Sequence, residues 1–412
     1  MSDEVFLARQ PILNKNGEIF AYEILYRSSM KNQANFTDDL FATAQVLANT
    51  LNNFGLKKIT GSKLGFINVN HTVVHKDVFS FLDPEKFVFE ILETTDLDIY
   101  LLEKIKHLKS EGFIFALDDF VFDPEFADYF EPLFEYLRYI KVDLVANNLE
   151  DIKKKFKLFE KYKVKWIAEK IDNREDFEEC KNLGFDYFQG YFFAKPAIMK
   201  NKKLDPSKLA IIEAINLLYK KPETDEIEQC FKKHPELTIN LLNFINSAAL
   251  GLRNKISSIR QAVALIGQRK LLQWLLMMSY TGVGDKKTIP LFYTASERAR
   301  KMENLVKLTI WNTDNRTADE AFLVGLLSLL DVLFETPIEE IIQQLHLDEE
   351  ITAAIIEHKG ILGILLNLVE KTEKSEIKID EILPLLEQID ISMQNLTEVN
   401  LESYKWSNEI AV

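Results

Sequence analysis

Cysteine is scarce in this chain, with Cys180 and Cys230 the two examples among 412 residues. They form no Cys-x-x-Cys pair, which argues against a disulfide framework or a zinc knuckle. Glycine and proline are also few, at 14 and 11 residues, which argues against a disordered or low-complexity chain. Positive charge is in deficit, and the net charge of -14 argues against binding a nucleic-acid polymer.

Long hydrophobic runs are missing as well. The N-terminus, Met1–Gln10, is charged and has no apolar signal-peptide core, and the strongest apolar stretch, 321–330, ends at Asp331. Both fall short of the roughly 20 apolar residues that a membrane-spanning helix needs. We therefore predict a cytoplasmic protein with no membrane partner.

Length and periodicity predict two domains, because 412 residues exceed what a single core usually serves. Residues 1–197 alternate strand-like and helix-like segments, which is typical of an α/β TIM-like (β/α)8 barrel. Residues 198–206 break both periodicities and are predicted to be a linker. Residues 207–412 have helical periodicity and are predicted to form an all-helical domain.

Seven short apolar runs of the first domain end in polar or charged residues. The strands are predicted at 19–26, 65–69, 87–91, 113–117, 139–142, 165–168 and 187–188, and a helix between them at 41–54. The polar residues at the strand ends are Glu23, Asn68, Glu90, Asp118 with Asp119, Lys141, Glu169 and Gln189. Because such barrels form their active sites where strands end, we expect these side chains to converge at one mouth.

The chemistry of these side chains indicates a divalent metal site. Carboxylate and amide oxygens are the ligands that Mg2+ or Mn2+ prefer, and Glu23, Asn68, Glu90, Asp118, Asp119 and Glu169 offer them. Paired cations would activate a water for phosphodiester hydrolysis, with Lys141 orienting that water and Arg27 and Gln189 holding the substrate. The alternative is that each acid is a helix cap or a solvated loop residue, although glutamate is a poor cap.

These segments resemble the EAL family of cyclic-di-GMP phosphodiesterases. The resemblance rests on Tyr22-Glu23-Ile24-Leu25-Tyr26-Arg27, Ile67-Asn68-Val69, Glu90-Ile91-Leu92-Glu93-Thr94, Leu117-Asp118-Asp119-Phe120, Ile140-Lys141-Val142-Asp143, Ala168-Glu169, Gln189-Gly190-Tyr191-Phe192 and Lys195-Pro196. It implies a barrel that binds cyclic di-GMP and linearises it with Mg2+ or Mn2+. It implies that Glu23, Glu169 and Lys141 are catalytic, that the six oxygen donors hold metal, and that Leu25, Arg27, Gln189 and Pro196 contact the substrate.

Three departures from the family pattern concern the predicted site. Ile24 replaces the alanine after the first glutamate, which is a conservative change. The paired aspartates lead into Phe120-Val121-Phe122-Asp123-Pro124, where the family has a glycine-rich loop, so this loop must follow another path. Lys170-Ile171-Asp172 replaces Gly-Val-Glu after the late glutamate. These changes predict slow or differently regulated turnover.

The second domain resembles the HDOD family of helical signalling domains. The resemblance rests on Leu237–Ala248 and Lys255–Gly267, which match in order and spacing. Ser328 and Leu329 stand where related metal-dependent phosphohydrolases carry a His-Asp doublet. The resemblance therefore implies a regulatory module that has no metal site at this position and binds an unknown protein partner.

The sequence is compatible with three functions. The chain is a cyclic-di-GMP phosphodiesterase that yields pGpG under HDOD control, a catalytically silent cyclic-di-GMP receptor, or a protein-interaction scaffold. EAL-like barrels often pair near the altered loop, so the resemblance also raises the expectation of a homodimer.

Overall fold

The computed structural model divides the chain into two compact units. One comprises Met1–Lys195 with Glu370–Val412, and the other comprises Pro196–Val369. The structure describes residues 5–28, 56–75, 79, 83–147, 149–159, 161–190, 193, 206–246, 256–280, 289–311, 315–334, 336–345, 347–374 and 377–410. The predicted helix at 41–54 and most of the predicted linker lie outside these residues.

The first unit contains a closed barrel of eight strands in sequence order. The strands are β1 (Val5–Asn14), β2 (Ile19–Ser28), β3 (Leu64–Val69), β4 (Phe87–Ile91), β5 (Ile114–Phe120), β6 (Tyr139–Asp143), β7 (Lys165–Glu169) and β8 (Tyr187–Gln189). Strands β2 to β8 pair in parallel, whereas β1 runs antiparallel to both β2 and β8. The predicted TIM-like barrel is confirmed, but the sequence argument missed β1.

Two layers of apolar side chains explain why these segments form strands. One layer fills the barrel interior with about one residue per strand: Ile12, Ala21, Phe66, Val88, Ala116, Tyr139 and Ile167. The alternate residues, such as Ile24, Ile67 and Phe89, join the larger core between the barrel and its helices. Side chains alternate along a strand, so successive residues enter the two layers in turn. Because both layers are buried, each strand has a nearly continuous apolar sequence.

Six helices surround the barrel in the described residues, and four of them begin at polar capping residues. They are α1 (Leu56–Thr60), α2 (His71–Val74), α3 (Ile99–Ser110), α4 (Pro124–Phe134), α5 (Leu149–Lys155) and α6 (Arg174–Leu183), with a 3-10 turn at Phe156–Phe159. Asp98, Asp123 and Asn173 accept hydrogen bonds from backbone N–H groups in the first turns of α3, α4 and α6. These caps satisfy donors that a helix start leaves unpaired.

In the part of residues 206–373 that the structure describes, ten helices follow. They are α7 (Pro206–Tyr219), α8 (Thr224–Lys233), α9 (Pro235–Ile245), α10 (Ile259–Tyr280), α11 (Ile289–Leu308), α12 (Asn315–Leu327), α13 (Leu330–Phe334), α14 (Ile338–Gln344), α15 (Glu349–Glu357) and α16 (Gly360–Glu373). Gly267, with φ of 76°, puts a kink into α10. The helical class predicted for this part of the chain is confirmed.

The C-terminal helices α17 (Ile379–Gln388) and α18 (Met393–Ile410) belong to the barrel unit. Asn400 donates a hydrogen bond to Leu7 O at 2.9 Å, and the Tyr404 hydroxyl accepts one from the Arg9 backbone at 3.2 Å. The Arg9 guanidinium lies over the Tyr404 ring and also donates to Ser407 Oγ. The predicted single domain over 207–412 is therefore wrong at its C-terminal end, because these buried polar side chains tie α18 to β1.

One stretch, Glu349–Glu373, has the length and apolar composition of a membrane-spanning helix. It consists of α15 and α16, which His358 separates with a left-handed φ of 53°. Within its most apolar window, 44% of the residues are buried inside the protein. Core helices of soluble proteins show the same properties, so this stretch is weak evidence for a membrane span.

Candidate active site

The predicted site residues share one position in the barrel. Each lies two residues after an apolar interior residue: Glu23 after Ala21, Asn68 after Phe66, Glu90 after Val88, Asp118 after Ala116, Lys141 after Tyr139, and Glu169 after Ile167. Because side chains alternate with period two, these polar side chains also point into the barrel, one layer nearer the carboxyl ends of the strands. The structure therefore brings the predicted residues together at one mouth.

Lys141 lies at the centre of this mouth, with its side chain 1% exposed. Its Nζ lies 2.7 Å from Glu90 Oε1 and 2.7 Å from Glu169 Oε1. Asp118 Oδ1 follows at 2.9 Å and Glu23 Oε2 at 3.2 Å. Four carboxylates therefore share a single ammonium group, and the negative charge at the mouth exceeds the positive charge.

Amide side chains surround Glu23. Asn68 Nδ2 lies 3.4 Å from Glu23 Oε1, and Gln189 Nε2 donates a short hydrogen bond to Glu23 Oε2. Gln189 also donates to Gln10 Oε1 at 3.2 Å. Gln10 comes from β1, directly opposite Glu23 in the strand register. Strand β1 thus adds a residue to the mouth that the sequence argument missed.

The two neighbouring aspartates point to different partners. Asp119 has a left-handed φ of 46°, which breaks the strand alternation immediately after Asp118. Asp118 contacts Lys141, whereas Asp119 Oδ1 lies 3.2 Å from Lys170 Nζ. Lys170 also contacts Asp143 Oδ2 at 2.6 Å. This contact was not predicted from the sequence. Asp143 was named there only as part of a family motif and Lys170 only as a departure from the family glycine, and that departure was the signal that could have pointed to the contact.

Burial sets the electrostatics of the mouth. Desolvation raises the pKa of Glu90 well above its ordinary value, against the attraction of Lys141. Desolvation likewise raises the pKa of Glu169, and that of Asp119 to a smaller extent. Burial alone would lower the pKa of Lys141, but Asp118, Glu169 and the other carboxylates outweigh burial and raise it. The carboxylates therefore favour the charged form of Lys141, which donates hydrogen bonds.

The donor set fits a hard divalent cation. Among the described residues, several buried acceptor oxygens of the mouth have no hydrogen-bond partner: Asn68 Oδ1, both Glu90 oxygens, Asp118 Oδ1, Glu169 Oε2 and Gln189 Oε1. Glu90 Oε1 and Asp118 Oδ1 lie close to the Lys141 ammonium but outside hydrogen-bond geometry. Asp118, Asp119 and Glu169 each place one oxygen within 4.8 Å of the others. Buried oxygens without donors are what Mg2+ or Mn2+ would satisfy.

Aromatic packing holds the loop after β5. The buried Phe122 ring stacks on Trp166, with centroids 6.0 Å apart and planes 21° apart. Its backbone N–H donates to Asn147 Oδ1 at 2.7 Å, and its carbonyl accepts from Lys155 Nζ at 2.6 Å. Asn147 also donates to Phe120 O at 3.0 Å. Packing and hydrogen bonds therefore fix the path of this loop, which contains no glycine with its wider backbone freedom.

The structure places the predicted substrate residues less completely. Leu25 is half-buried on β2 opposite Ala8, and the backbone of Arg27 lies on the same strand opposite Phe6. The side chain of Arg27 and the whole of Pro196 lie outside what the structure describes. Of the predicted substrate contacts whose side chains the structure describes, Leu25 and Gln189, Gln189 is the one buried at the mouth.

In the helical unit, a hydrogen bond holds Ser328, which the sequence resemblance aligns with a His-Asp doublet. Arg298 Nη1 donates to Ser328 Oγ at 2.8 Å, and Ser328 Oγ donates to Gly325 O at 2.9 Å. Arg298 is 1% exposed and Leu329 is 3% exposed. An arginine and an apolar side chain offer no metal ligand at these positions.

Fold and site together define a barrel protein with a carboxylate-lined mouth, joined to a helical unit. Residues 1–196 match the family model of the EAL domain, and residues 206–358 match that of the HDOD domain. The chain therefore contains an EAL domain followed by an HDOD domain.

Two relatives match nearly the whole of this chain. The uncharacterized protein YuxH of Bacillus subtilis (strain 168) is 29% identical over 411 residues, which cover 98% of each chain. The cyclic di-GMP phosphodiesterase CdgJ of Vibrio cholerae serotype O1 is 29% identical over 98% of this chain and 93% of its own. A solved standalone EAL protein of Vibrio cholerae O395, bound to c-di-GMP, is 23% identical over 47% of this chain and 93% of its own, with a TM-score of 0.39.

Proposed function

We propose that this chain is a bacterial cyclic-di-GMP signalling protein whose barrel hydrolyses cyclic di-GMP to linear pGpG with Mg2+ or Mn2+. The EAL match and the name of the relative CdgJ support the substrate class. The observation that carries the proposal is the cluster of four carboxylates around Lys141, with buried oxygens that have no donor among the described residues.

The chain's own residues divide the work at the mouth. Divalent cations would be held by Glu23, Asn68, Glu90, Asp118, Asp119 and Glu169, and when bound they supply an activated water and stabilise charge on a phosphoryl group. Lys141 holds the carboxylates together and donates a hydrogen bond toward the attacking water. Glu169, whose Oε1 lies 2.7 Å from Lys141 Nζ, is proposed as the general base that would accept a proton from that water.

Substrate contacts come from the rim of the mouth. Gln189 is held by Gln10 and Glu23, so its remaining oxygen can accept a hydrogen bond from the dinucleotide. Arg27 is proposed to pair with a phosphate, since a guanidinium matches phosphate geometry. Leu25 and Pro196 are proposed to supply apolar contacts.

The helical unit is proposed to bind a protein partner and to regulate the barrel. The match of residues 206–358 to the HDOD domain supports this proposal. We further propose that the protein acts in the cytoplasm as a homodimer.

The second candidate function is a cyclic-di-GMP receptor without turnover. Two observations favour it: the ammonium of Lys170 on Asp119, and the rigid aromatic loop at Phe122. Both occur next to the predicted metal ligands and depart from the family pattern.

Incubation of the full chain with cyclic di-GMP and Mg2+ or Mn2+, followed by chromatography of the products, tests the proposal. We expect pGpG from the wild type and at least a hundredfold less from Glu23→Gln, because removal of one buried charged group at the site costs about this much. Glu103→Gln is the matched control, since Glu103 lies exposed on α3. Equal product from Glu23→Gln would refute the assignment.

Calorimetry with cyclic di-GMP separates the candidates. Saturable binding by the wild type without pGpG formation would support the receptor. Absence of binding in the presence of metal would exclude both and leave a scaffold, which pull-down of a partner independent of nucleotide would then support.

A further inference from the structure

Lys170 occupies a rigid and strained backbone position directly after Glu169. Its φ of 56° lies in the left-handed region, which a lysine rarely adopts. The next residue is locked, because Ile171 N donates to Gln189 O at 3.1 Å. The backbone of Gly190, directly after β8, packs so closely on Ile171 that a Cβ on Gly190 would lie 2.1 Å from Ile171 O. This close contact leaves the segment little room to shift. The start of the Lys170 side chain is therefore fixed in space.

A second contact fixes the other end of this side chain. Lys170 Nζ lies 2.6 Å from Asp143 Oδ2, while Asp143 Oδ1 accepts hydrogen bonds from the backbone of Val145 and Ala146 at 2.6 and 3.1 Å. Asp143 is thus an anchored carboxylate and not a mobile partner. It holds the ammonium 3.2 Å from Asp119 Oδ1.

Two ammonium groups consequently bracket the acidic cluster. Lys141 contacts Asp118 and Glu169 from inside the barrel, and Lys170 contacts Asp119 from the outer side. Asp118, Asp119 and Glu169 are the three carboxylates whose oxygens lie within 4.8 Å of one another. A divalent cation shared by all three would meet the like charge of Lys170 at Asp119, and such repulsion is strong at short range in a partly buried site.

We propose that Lys170 is a built-in monovalent counter-charge at Asp119, so that the mouth binds one divalent cation tightly at its inner carboxylates and disfavours a second at Asp119. Lys170 is therefore a positioning residue that sets metal stoichiometry and makes turnover depend on metal concentration. This inference rests on the proposed metal site of the barrel.

Mn2+ titration of the full chain, followed by electron paramagnetic resonance of free Mn2+, tests the inference without measuring activity. We expect one tight Mn2+ per wild-type chain. Lys170→Met and Lys170→Gly should bind a second Mn2+ at least tenfold more tightly than the wild type does, which corresponds to about 1.4 kcal/mol. The glycine variant also relieves the strained φ, so it guards against a folding defect in the methionine variant.

Two controls isolate the charge at this position. Lys170→Arg keeps the positive charge and should bind Mn2+ as the wild type does. Lys165→Met removes a lysine that pairs with Asp186 on the barrel exterior, and it should have no effect.

The outcomes distinguish this inference from the proposed function. If the wild type already binds two Mn2+ with the affinities of the Lys170 variants, the metal site stands and the role of Lys170 is refuted. If neither the wild type nor the variants bind Mn2+, the metal site itself is wrong and the inference falls with it.

Discussion

Replacement of Lys141 by methionine should destabilise the metal-free protein severely. Methionine keeps much of the side-chain volume but removes the ammonium that lies within 3.2 Å of four carboxylates. Those carboxylates are at most 10% exposed, so water cannot compensate their charge. Loss of one partner from a buried ion pair costs about 3–5 kcal/mol.

This cost predicts a measurable shift in thermal unfolding. At about 2–4 °C per kcal/mol for a domain of this size, the barrel transition of Lys141→Met should fall by about 6–20 °C in EDTA. Differential scanning calorimetry of the full chain measures the shift. The control Lys165→Met removes an ion pair whose lysine is 54% exposed, and it should cost about 0–1 kcal/mol.

The pH dependence of the shift follows from the raised pKa values of Glu90 and Glu169. A carboxyl whose pKa is raised on folding stabilises the protein fully below its unfolded pKa, about 4.3, and this contribution is lost as pH rises through the folded pKa. Removal of Lys141 removes the attraction that opposes this rise. The gap between wild type and Lys141→Met should therefore stay constant at low pH and widen once the pH passes the raised folded pKa values of Glu90 and Glu169 in the wild type.

Saturating Mg2+ or Mn2+ should narrow the gap, because the four carboxylates attract a cation more strongly once the Lys141 ammonium is removed, so that the metal stabilises Lys141→Met more than the wild type. The reasoning is refuted if Lys141→Met unfolds at the same temperature as Lys165→Met in EDTA and the gap stays constant with pH.

Three further changes have defined outcomes. Gly190→Ala should abolish soluble folded protein in an expression assay, since its Cβ would lie 2.1 Å from the backbone oxygen of Ile171. Gly360→Ala has open space around its Cβ, so it should lower the free energy of unfolding by only about 1 kcal/mol, the cost of the left-handed φ. Similar yields of the two variants would contradict this reasoning. Asn147→Ala should lower the free energy of unfolding by about 1–3 kcal/mol and speed hydrogen exchange of the Phe122 amide, because Asn147 Oδ1 accepts a hydrogen bond from that N–H. Unchanged exchange would contradict the anchored loop. Burial raises the pKa of Cys180 to about 12, so its thiol should resist iodoacetamide at pH 8 until urea is added, as mass spectrometry can show; rapid labelling of the folded protein would contradict its burial.

The sequence alone determined the parallel strands and the chemistry at their ends. Strands β2 to β8 are buried on both faces, so each appears as a short apolar run with a polar residue at a regular offset. That local pattern is independent of distant contacts. It therefore predicted the barrel and the convergence of Glu23, Glu90, Asp118, Lys141 and Glu169, which the structure shows.

Tertiary structure decided what depends on partners distant in sequence. Strand β1 carries Arg9, Gln10 and Pro11, so its run is interrupted, and its pairing with β2 and β8 closes the barrel. The assignment of α18 to the barrel depends on its hydrogen bonds to residues almost 400 positions away. The place of Lys170 against Asp119 depends on a left-handed φ and an anchored Asp143. Composition and periodicity carry no record of such contacts, because each arises only when separate segments meet.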